Sequence, residues 1–130
     1  MKPMPVLPPV HSPFADLKSV LAEYSDRLVV KVDTPIEYTL VTRSASPFPQ
    51  HKGNPMFFGS VRQGKAYTSF HLMPLYMCPA VERHVTPALK KRMQGKTCFN
   101  FRTSPEPELI VDLKKLADAG LREWNAKKWL

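Results

Sequence analysis

The spacing of apolar residues changes from helical to alternating within the first third of the chain. Ser12 and Pro13 form a helix-start signature, because the serine hydroxyl caps a free N–H and proline is tolerated at the first helical position. The apolar residues that follow recur at three- and four-residue spacing: Phe14, Leu17, Val20, Leu21, Tyr24 and Leu28. This pattern predicts a first helix over about residues 13 to 26. The period then becomes two, which predicts two strands joined by a turn at Thr34 and Pro35.

The middle of the chain contains a long loop and a hairpin. Residues 43–55 show no periodicity and are rich in Ser, Pro, Gly and Asn, which predicts a loop. Two alternating segments then flank Gln63 and Gly64, and glycine supplies the positive φ that a tight turn needs. We therefore expect a two-residue hairpin turn in which Val61 pairs with Ala66.

This register assigns the side chains of the sheet to two faces. One face is apolar and is expected to lie under the helices: Phe57, Val61, Phe70 and Leu72. The other face mixes aromatic and polar side chains and includes the later strand: Phe58, Ser60, Tyr67, Ser69, His71, Cys98, Asn100 and Arg102. Such a face suits a ligand groove or a dimer interface, since it combines apolar area with hydrogen-bond donors. A solvated sheet face is the simpler alternative.

The last third of the chain predicts a helix, a strand and a second helix. Thr86 and Pro87 repeat the start signature, and Gly95 is placed for a left-handed stop. A strand follows, and Ser104 with Pro105 opens the final helix. Its apolar side is formed by Leu109, Leu113, Leu116, Gly120 and Trp124. The predicted fold is α+β in the order αββββαβα, with two layers: an antiparallel sheet of about five strands and helices on one face.

Length and composition predict one core. The chain has 130 residues with 43% apolar composition, which is ordinary for a single domain. Residues 1–12 contain four prolines and are predicted to form an extended arm, followed by a single domain over 13–130. No run approaches the roughly 18 apolar residues that span a bilayer, and no signal peptide is recognisable, so we expect no membrane contact. Cys78 and Cys98 lack metal or redox spacing, which favours free thiols in a reducing cytoplasm.

No catalytic or metal-binding motif stands out. The potential metal ligands have no compact spacing: His71, Cys78, His84 and Cys98. Ser69 and His71 share a face, but no nucleophile elbow accompanies them. The glycines are scattered, which disfavours a phosphate-binding loop. We therefore assign no catalytic residue, no metal ligand and no cofactor, and a non-enzymatic role is favoured.

The charge distribution is more informative about function than the catalytic and metal-binding motifs are. The chain carries a net charge of +8, and Glu82 is the only acidic residue between Tyr38 and Ser104. The basic segment is a candidate for binding nucleic acid or an anionic ligand: Lys90, Lys91, Arg92 and Lys96. A solvated helix face is favoured over nucleic acid, because no nucleic-acid-binding signature accompanies the charge.

The hairpin segment, the later strand and the terminal helix resemble the YdhG-like family, also known as domain of unknown function 1801. The shared features over roughly residues 14 to 125 are Gly64-Lys65 in the hairpin, a short helix, Gly95-Lys96 before a strand with Phe99 and Phe101, and the last helix. The resemblance implies a fold like that of type III secretion chaperones. Some relatives are described as iron chaperones analogous to frataxin, which implies iron as a cargo. The first helix offers the only carboxylate cluster for it: Asp16, Glu23 and Asp26.

Three hypotheses about function result. The leading one is a non-enzymatic cytoplasmic binding or scaffold domain, expected as a homodimer, that contacts a protein or small-molecule partner through the open sheet face. Its candidate residues are Phe58, Tyr67, Ser69, His71, Asn100 and Arg102. The first alternative is an intracellular iron chaperone. The second is binding of nucleic acid or an anionic ligand through the basic segment.

Overall fold

The computed structural model describes residues 12–95 and 97–130. In chain order the elements are α1 (Pro13–Ala22), β1 (Val29–Thr34), β2 (Glu37–Ala45), a 3-10 helix (Pro49–His51), β3 (Pro55–Gln63), β4 (Thr68–Leu72), α2 (Met73–Met77), α3 (Pro79–Glu82), α4 (Pro87–Lys90), β5 (Met93–Gln94), β6 (Cys98–Phe101) and α5 (Pro107–Ala126). The predicted arm lies outside the described residues, apart from Ser12.

The strands form one sheet in the order β1-β2-β3-β4-β6-β5, and every neighbouring pair is antiparallel. Helices α1 and α5 pack against one face of this sheet, and their buried residues join a single apolar core with those of the strands. The predicted α+β class and its layering are therefore confirmed. The sheet has one strand more than the predicted five. The additional strand is β5, which is only two residues long and carries no periodic signal.

Local sequence explains where two of the helices begin, whereas α5 begins at Pro107 and not at the predicted Ser104 and Pro105. The Ser12 hydroxyl accepts a hydrogen bond from the Ala15 N–H at 3.0 Å, and the Thr86 hydroxyl accepts one from the Leu89 N–H at 3.2 Å, as the two start signatures predict. Helix α1 ends at Ala22, earlier than expected, and turns follow it. Among the described helices, none combines the length and apolarity needed to cross a bilayer.

Helices α2 and α3 were not predicted, because each is too short to show a helical period. Helix α2 packs against α5 where Gly120 leaves room: a Cβ there would lie 2.8 Å from the Pro74 Cβ. Gly95 has the expected positive φ of 83°, but it turns the chain between β5 and β6 and does not end a helix. The largest buried side chain, Trp124, lies on α5 as the apolar stripe predicts.

The β3–β4 hairpin has a different register from the predicted one. Val61 pairs with Phe70, not with Ala66, and the last pair is Gln63 with Thr68. The turn therefore has four residues, 64–67, and Gly64 is not among the described residues with positive φ. The longer turn brings Val61 opposite Phe70 in the core. Because the register moves by an even number of residues, most side chains keep their predicted face.

A β-bulge in β3 reverses the predicted faces of two neighbouring phenylalanines, Phe57 and Phe58. Strand β2 pairs with β3 at Leu40–Gly59 and then at Val41–Phe57, which leaves Phe58 as an extra residue. Phe58 is fully buried, and its ring lies 5.4 Å from that of Trp124 in an edge-to-face contact. The predictions that Phe58 lies on the open face and Phe57 in the core are wrong, because the extra residue reverses the alternation.

Candidate functional site: a groove on the open sheet face

The sheet face opposite α1 and α5 carries a groove of about 450 Å³, here called the open-face groove. No helix of the described residues covers it. It is lined by Lys31 and Val32 of β1, Glu37 and Thr39 of β2, Phe57, Ser60 and Arg62 of β3, and His71 of β4. The groove therefore spans four adjacent strands.

Strand pairing arranges the first polar row across the sheet. Thr39 pairs with Ser60, Ser60 with His71, and His71 with Cys98. Side chains that lie directly opposite each other on neighbouring strands are about 5 Å apart at Cβ, so these four are contiguous. Thr39 is only 7% exposed and Ser60 only 4%, although they lie on the face without helices. These small hydroxyl side chains form the floor of the groove between longer neighbours.

A second polar row runs beside the first. Glu37 pairs with Arg62, Arg62 with Ser69, and Ser69 with Asn100. The Glu37 carboxylate lies 3.5 Å from the Arg62 guanidinium and accepts a hydrogen bond from the Thr39 hydroxyl at 2.8 Å. At the other end, the Ser69 hydroxyl donates to Asn100 Oδ1 at 2.9 Å. This row links the groove to strand β6.

The electrostatics of the groove favour a bound anion. Lys31 and Arg62 supply two positive charges against the single carboxylate of Glu37. Burial lowers the pKa of His71, and the positive charge of Arg62 lowers it further. His71 is therefore a neutral hydrogen-bonding group at pH 7, and the groove carries one net positive charge.

The same geometry lacks the elements of nucleophilic catalysis. Ser69 donates its hydrogen bond to Asn100 and not to His71. Cys98 donates to the same Asn100 oxygen at 3.3 Å, and burial raises the pKa of its thiol. A protonated thiol is a poor nucleophile. There is therefore no activated attacking group among these residues of the open face.

Three of the six candidate site residues lie in paired strands on the open face. Ser69, His71 and Asn100 belong to the two polar rows, and Tyr67 lies in the hairpin turn with the Arg102 guanidinium 5.2 Å from its ring centroid. The sixth, Phe58, belongs to the core. Only His71 of this set lines the groove itself.

The predicted basic segment lies elsewhere. Lys90 ends α4, Lys91 follows it, and both are exposed. The Arg92 guanidinium lies 5.5 Å from the ring centroid of Phe101. Lys96 lies outside the described residues. None of the three described members lines the open-face groove.

The carboxylates predicted as an iron cluster do not converge in the described part of the chain. Asp16 lies in α1, whereas Glu23 and Asp26 follow its end, and Glu23 pairs with Lys114 at 3.1 Å. Across residues 12–95 and 97–130, no group of three His, Cys, Asp or Glu side chains is placed to hold a metal ion. Burial raises the pKa of the Cys78 thiol, so it also disfavours the metal-ligating thiolate. Iron transport stays a prediction from the resemblance alone.

A second, apolar pocket adjoins the groove at Phe57. It measures about 260 Å³ and is lined by Phe48, Gln50, His51, Met56, Phe57, Met73, Tyr76 and Met77. The loop between β2 and β3 forms one wall, and it is shorter than the predicted 43–55, because residues 43–45 belong to β2 and Pro55 to β3. In this loop the Ser46 hydroxyl is hydrogen-bonded to His51 Nδ1 at 2.6 Å and accepts from the Phe48 N–H at 3.1 Å. Helix α2 forms the opposite wall.

Sequence reasoning missed most of the groove: Lys31, Val32, Glu37, Thr39, Phe57, Ser60 and Arg62 were not among its candidate site residues. The alternation of Glu37 and Thr39 with Tyr38 and Leu40 contained part of the signal, since it places both polar residues on one face. What it lacked was the pairing of β2 with β3.

No family model, no curated protein and no solved structure matches the chain. The resemblance to the YdhG-like family rests on residue order and spacing.

Proposed function

We propose that this chain is a non-enzymatic cytoplasmic binding domain, related to the YdhG-like family, that holds the anionic group of a small ligand in the open-face groove. One observation carries the proposal. Two nearly buried hydroxyls, Thr39 and Ser60, form a polar floor beside the cations of Lys31 and Arg62. A volume of about 450 Å³ lies within the range of small-molecule sites.

The two hydroxyls of the floor differ in what they already bind. The Thr39 hydroxyl donates to the Glu37 carboxylate at 2.8 Å, whereas the Ser60 hydroxyl lies in the groove with Lys31 and Arg62, and donors near a cation are well placed to bind an anion. Arg62 can present two parallel N–H groups to a carboxylate or phosphate, and Lys31 adds a point charge. The net charge of +8 favours the approach of anions over the whole molecule.

The groove suits a small ligand better than a subunit interface. The buried centre of a protein interface is typically apolar and depleted in charge. Here the centre is formed by Thr39, Ser60 and His71, with Arg62 and Glu37 beside them. We therefore favour a ligand over the homodimer that the mixed face also suggested.

The test is a nuclear magnetic resonance titration of the purified full chain with acetate, and with acetamide as the neutral analogue of the same shape. We expect acetate to shift the backbone amide signals of Ser60 and His71, and acetamide to leave them unchanged. The double variant Lys31→Gln/Arg62→Gln should weaken acetate binding by at least about tenfold, because both cations are lost.

A matched control removes the same charge elsewhere. Lys90→Gln/Lys91→Gln deletes two exposed cations at α4 and should leave acetate binding unchanged. If this control variant alone loses binding, the anion site belongs to the basic segment and the groove proposal is wrong. Equal shifts with acetamide and acetate would also reject it. So would sedimentation of a dimer whose formation is abolished by the groove variant, since the face would then be an interface.

A further inference from the structure

We infer that the ligand is an amphipathic anion, whose charged group lies in the open-face groove and whose apolar part fills the adjoining apolar pocket. This inference rests on the proposed function and adds the chemical class of the ligand: a small carboxylate or phosphate that carries one ring or a short hydrocarbon chain.

The continuity of the two sites is the first argument. Phe57 lines both the open-face groove and the apolar pocket. The bulge in β3 places it there, because the extra residue sends Phe58 into the core and leaves Phe57 half-buried on the open side. One molecule can therefore contact the cations and the apolar pocket across this ring.

The lining of the pocket is the second argument. Three of its side chains are methionines, Met56, Met73 and Met77, and Phe48 and Tyr76 add aromatic surface. Thioether side chains are unbranched and polarisable, so they adapt to varied apolar shapes. One of the two imidazole nitrogens of His51, Nδ1, is already hydrogen-bonded to Ser46. The pocket therefore offers mainly van der Waals contact.

The volume of the apolar pocket limits the size of the ligand's apolar part. A dry cavity of about 150 Å³ is sufficient for a benzene ring. The pocket of about 260 Å³ thus accepts one ring with a few further carbon atoms, or a short alkyl chain. It is too small for a protein helix. The cations of Lys31 and Arg62 lie on the groove side of Phe57, which requires the charge at one end of the molecule.

The experiment compares three probes on the unmodified protein: phenylbutyrate, its neutral amide phenylbutanamide, and acetate. We expect phenylbutyrate to bind about tenfold or more tightly than acetate, because a phenyl ring is removed from water. It should shift the methyl signals of Met73 and Met77 together with the amide signal of His71. Phenylbutanamide should bind at least about tenfold more weakly than phenylbutyrate, because it lacks the charge.

Two variants assign the contribution of the pocket. Met77→Gln keeps the length of the side chain and adds polarity, and it should reduce phenylbutyrate binding toward that of acetate while acetate binding stays the same. Met93→Gln makes the same change in β5, outside the pocket, and should affect neither probe. The comparison of probes on the unmodified protein does not depend on whether either variant folds.

The outcomes separate the two proposals. Equal affinities for phenylbutyrate and acetate, with acetate still bound in the groove, would overturn the amphipathic ligand and leave the proposed function standing. Equal affinities for phenylbutyrate and its amide would show that the charge is not used, which also overturns the inference. If neither anion binds, the proposed function fails and the inference fails with it.

Discussion

The two faces of the sheet share the same strands but differ in what their buried positions contain. On the helix side, Val61, Phe70 and Phe99 are cross-strand neighbours, and all three are fully buried. One position away along each strand, the cross-strand neighbours on the open side are Ser60, His71 and Cys98. Burial on the helix side follows from the hydrophobic effect. On the open side the nearly buried positions instead hold small hydroxyl side chains, and the Thr39 hydroxyl donates a hydrogen bond to Glu37.

The adjacent phenylalanines of β3 provide the largest expected contrast between the faces. Phe58→Ala should lower the free energy of unfolding by about 3–5 kcal/mol, because it removes a fully buried ring that contacts Trp124. Phe57→Ala should cost about 1 kcal/mol, since that side chain is only half-buried. Urea denaturation followed by tryptophan fluorescence measures both. The opposite ranking would mean that β3 has no bulge.

Alternation and end signals were enough to predict most of the helix side. The apolar stripe of α5, the caps at Ser12 and Thr86, and the alternation in β4 and β6 are local patterns, and the structure confirms them. The hairpin register was wrong because a move of four residues leaves every side chain on the same face. Alternation alone cannot distinguish such registers.

The open side was harder to predict because it depends on pairing between distant segments. The faces of β3, β4 and β6 could be aligned from the hairpin, which correctly placed Ser69, His71 and Asn100. The partners of β2 could not be read from its own sequence. The bulge at Phe58 adds one residue, and simple alternation assigned that position to the wrong face. Gly59, which directly follows it, was the available signal, because an isolated glycine inside a strand often marks a bulge.

A second contrast uses neighbouring small residues on opposite faces. A Cβ at Gly59 would lie 2.9 Å from the His71 backbone oxygen and 3.4 Å from the Leu21 side chain, so Gly59→Ala should lower the free energy of unfolding by about 1–3 kcal/mol. Ser60→Ala removes only a hydroxyl on the open side and should change it by less than about 1 kcal/mol. Thermal and urea unfolding of both variants test this. If Gly59→Ala left the free energy of unfolding unchanged, α1 and β4 would be able to shift away from residue 59 at little cost.

The smallest expected effect concerns the charge state of the open side. Because burial, and secondly Arg62, lower the pKa of His71, the unfolded chain binds a proton there more readily than the folded protein. The free energy of unfolding should therefore fall as the pH drops through the unfolded pKa of about 6.5. His71→Gln should remove this part of the slope in urea denaturation at about pH 7.5 and 5.5. An unchanged slope would contradict the assigned cause.

An anion in the groove should act on His71 in the opposite direction. A negative charge beside the imidazole stabilises its protonated form, so acetate should raise the pKa of His71. By linkage, acetate should bind more tightly as the pH falls through that pKa, and His71→Gln should abolish this dependence. Titration of the imidazole signal with and without acetate measures the shift. Because His71 continues the floor of Thr39 and Ser60, a pKa that does not respond would place the anion away from this row. The two faces would then differ in polarity without differing in function.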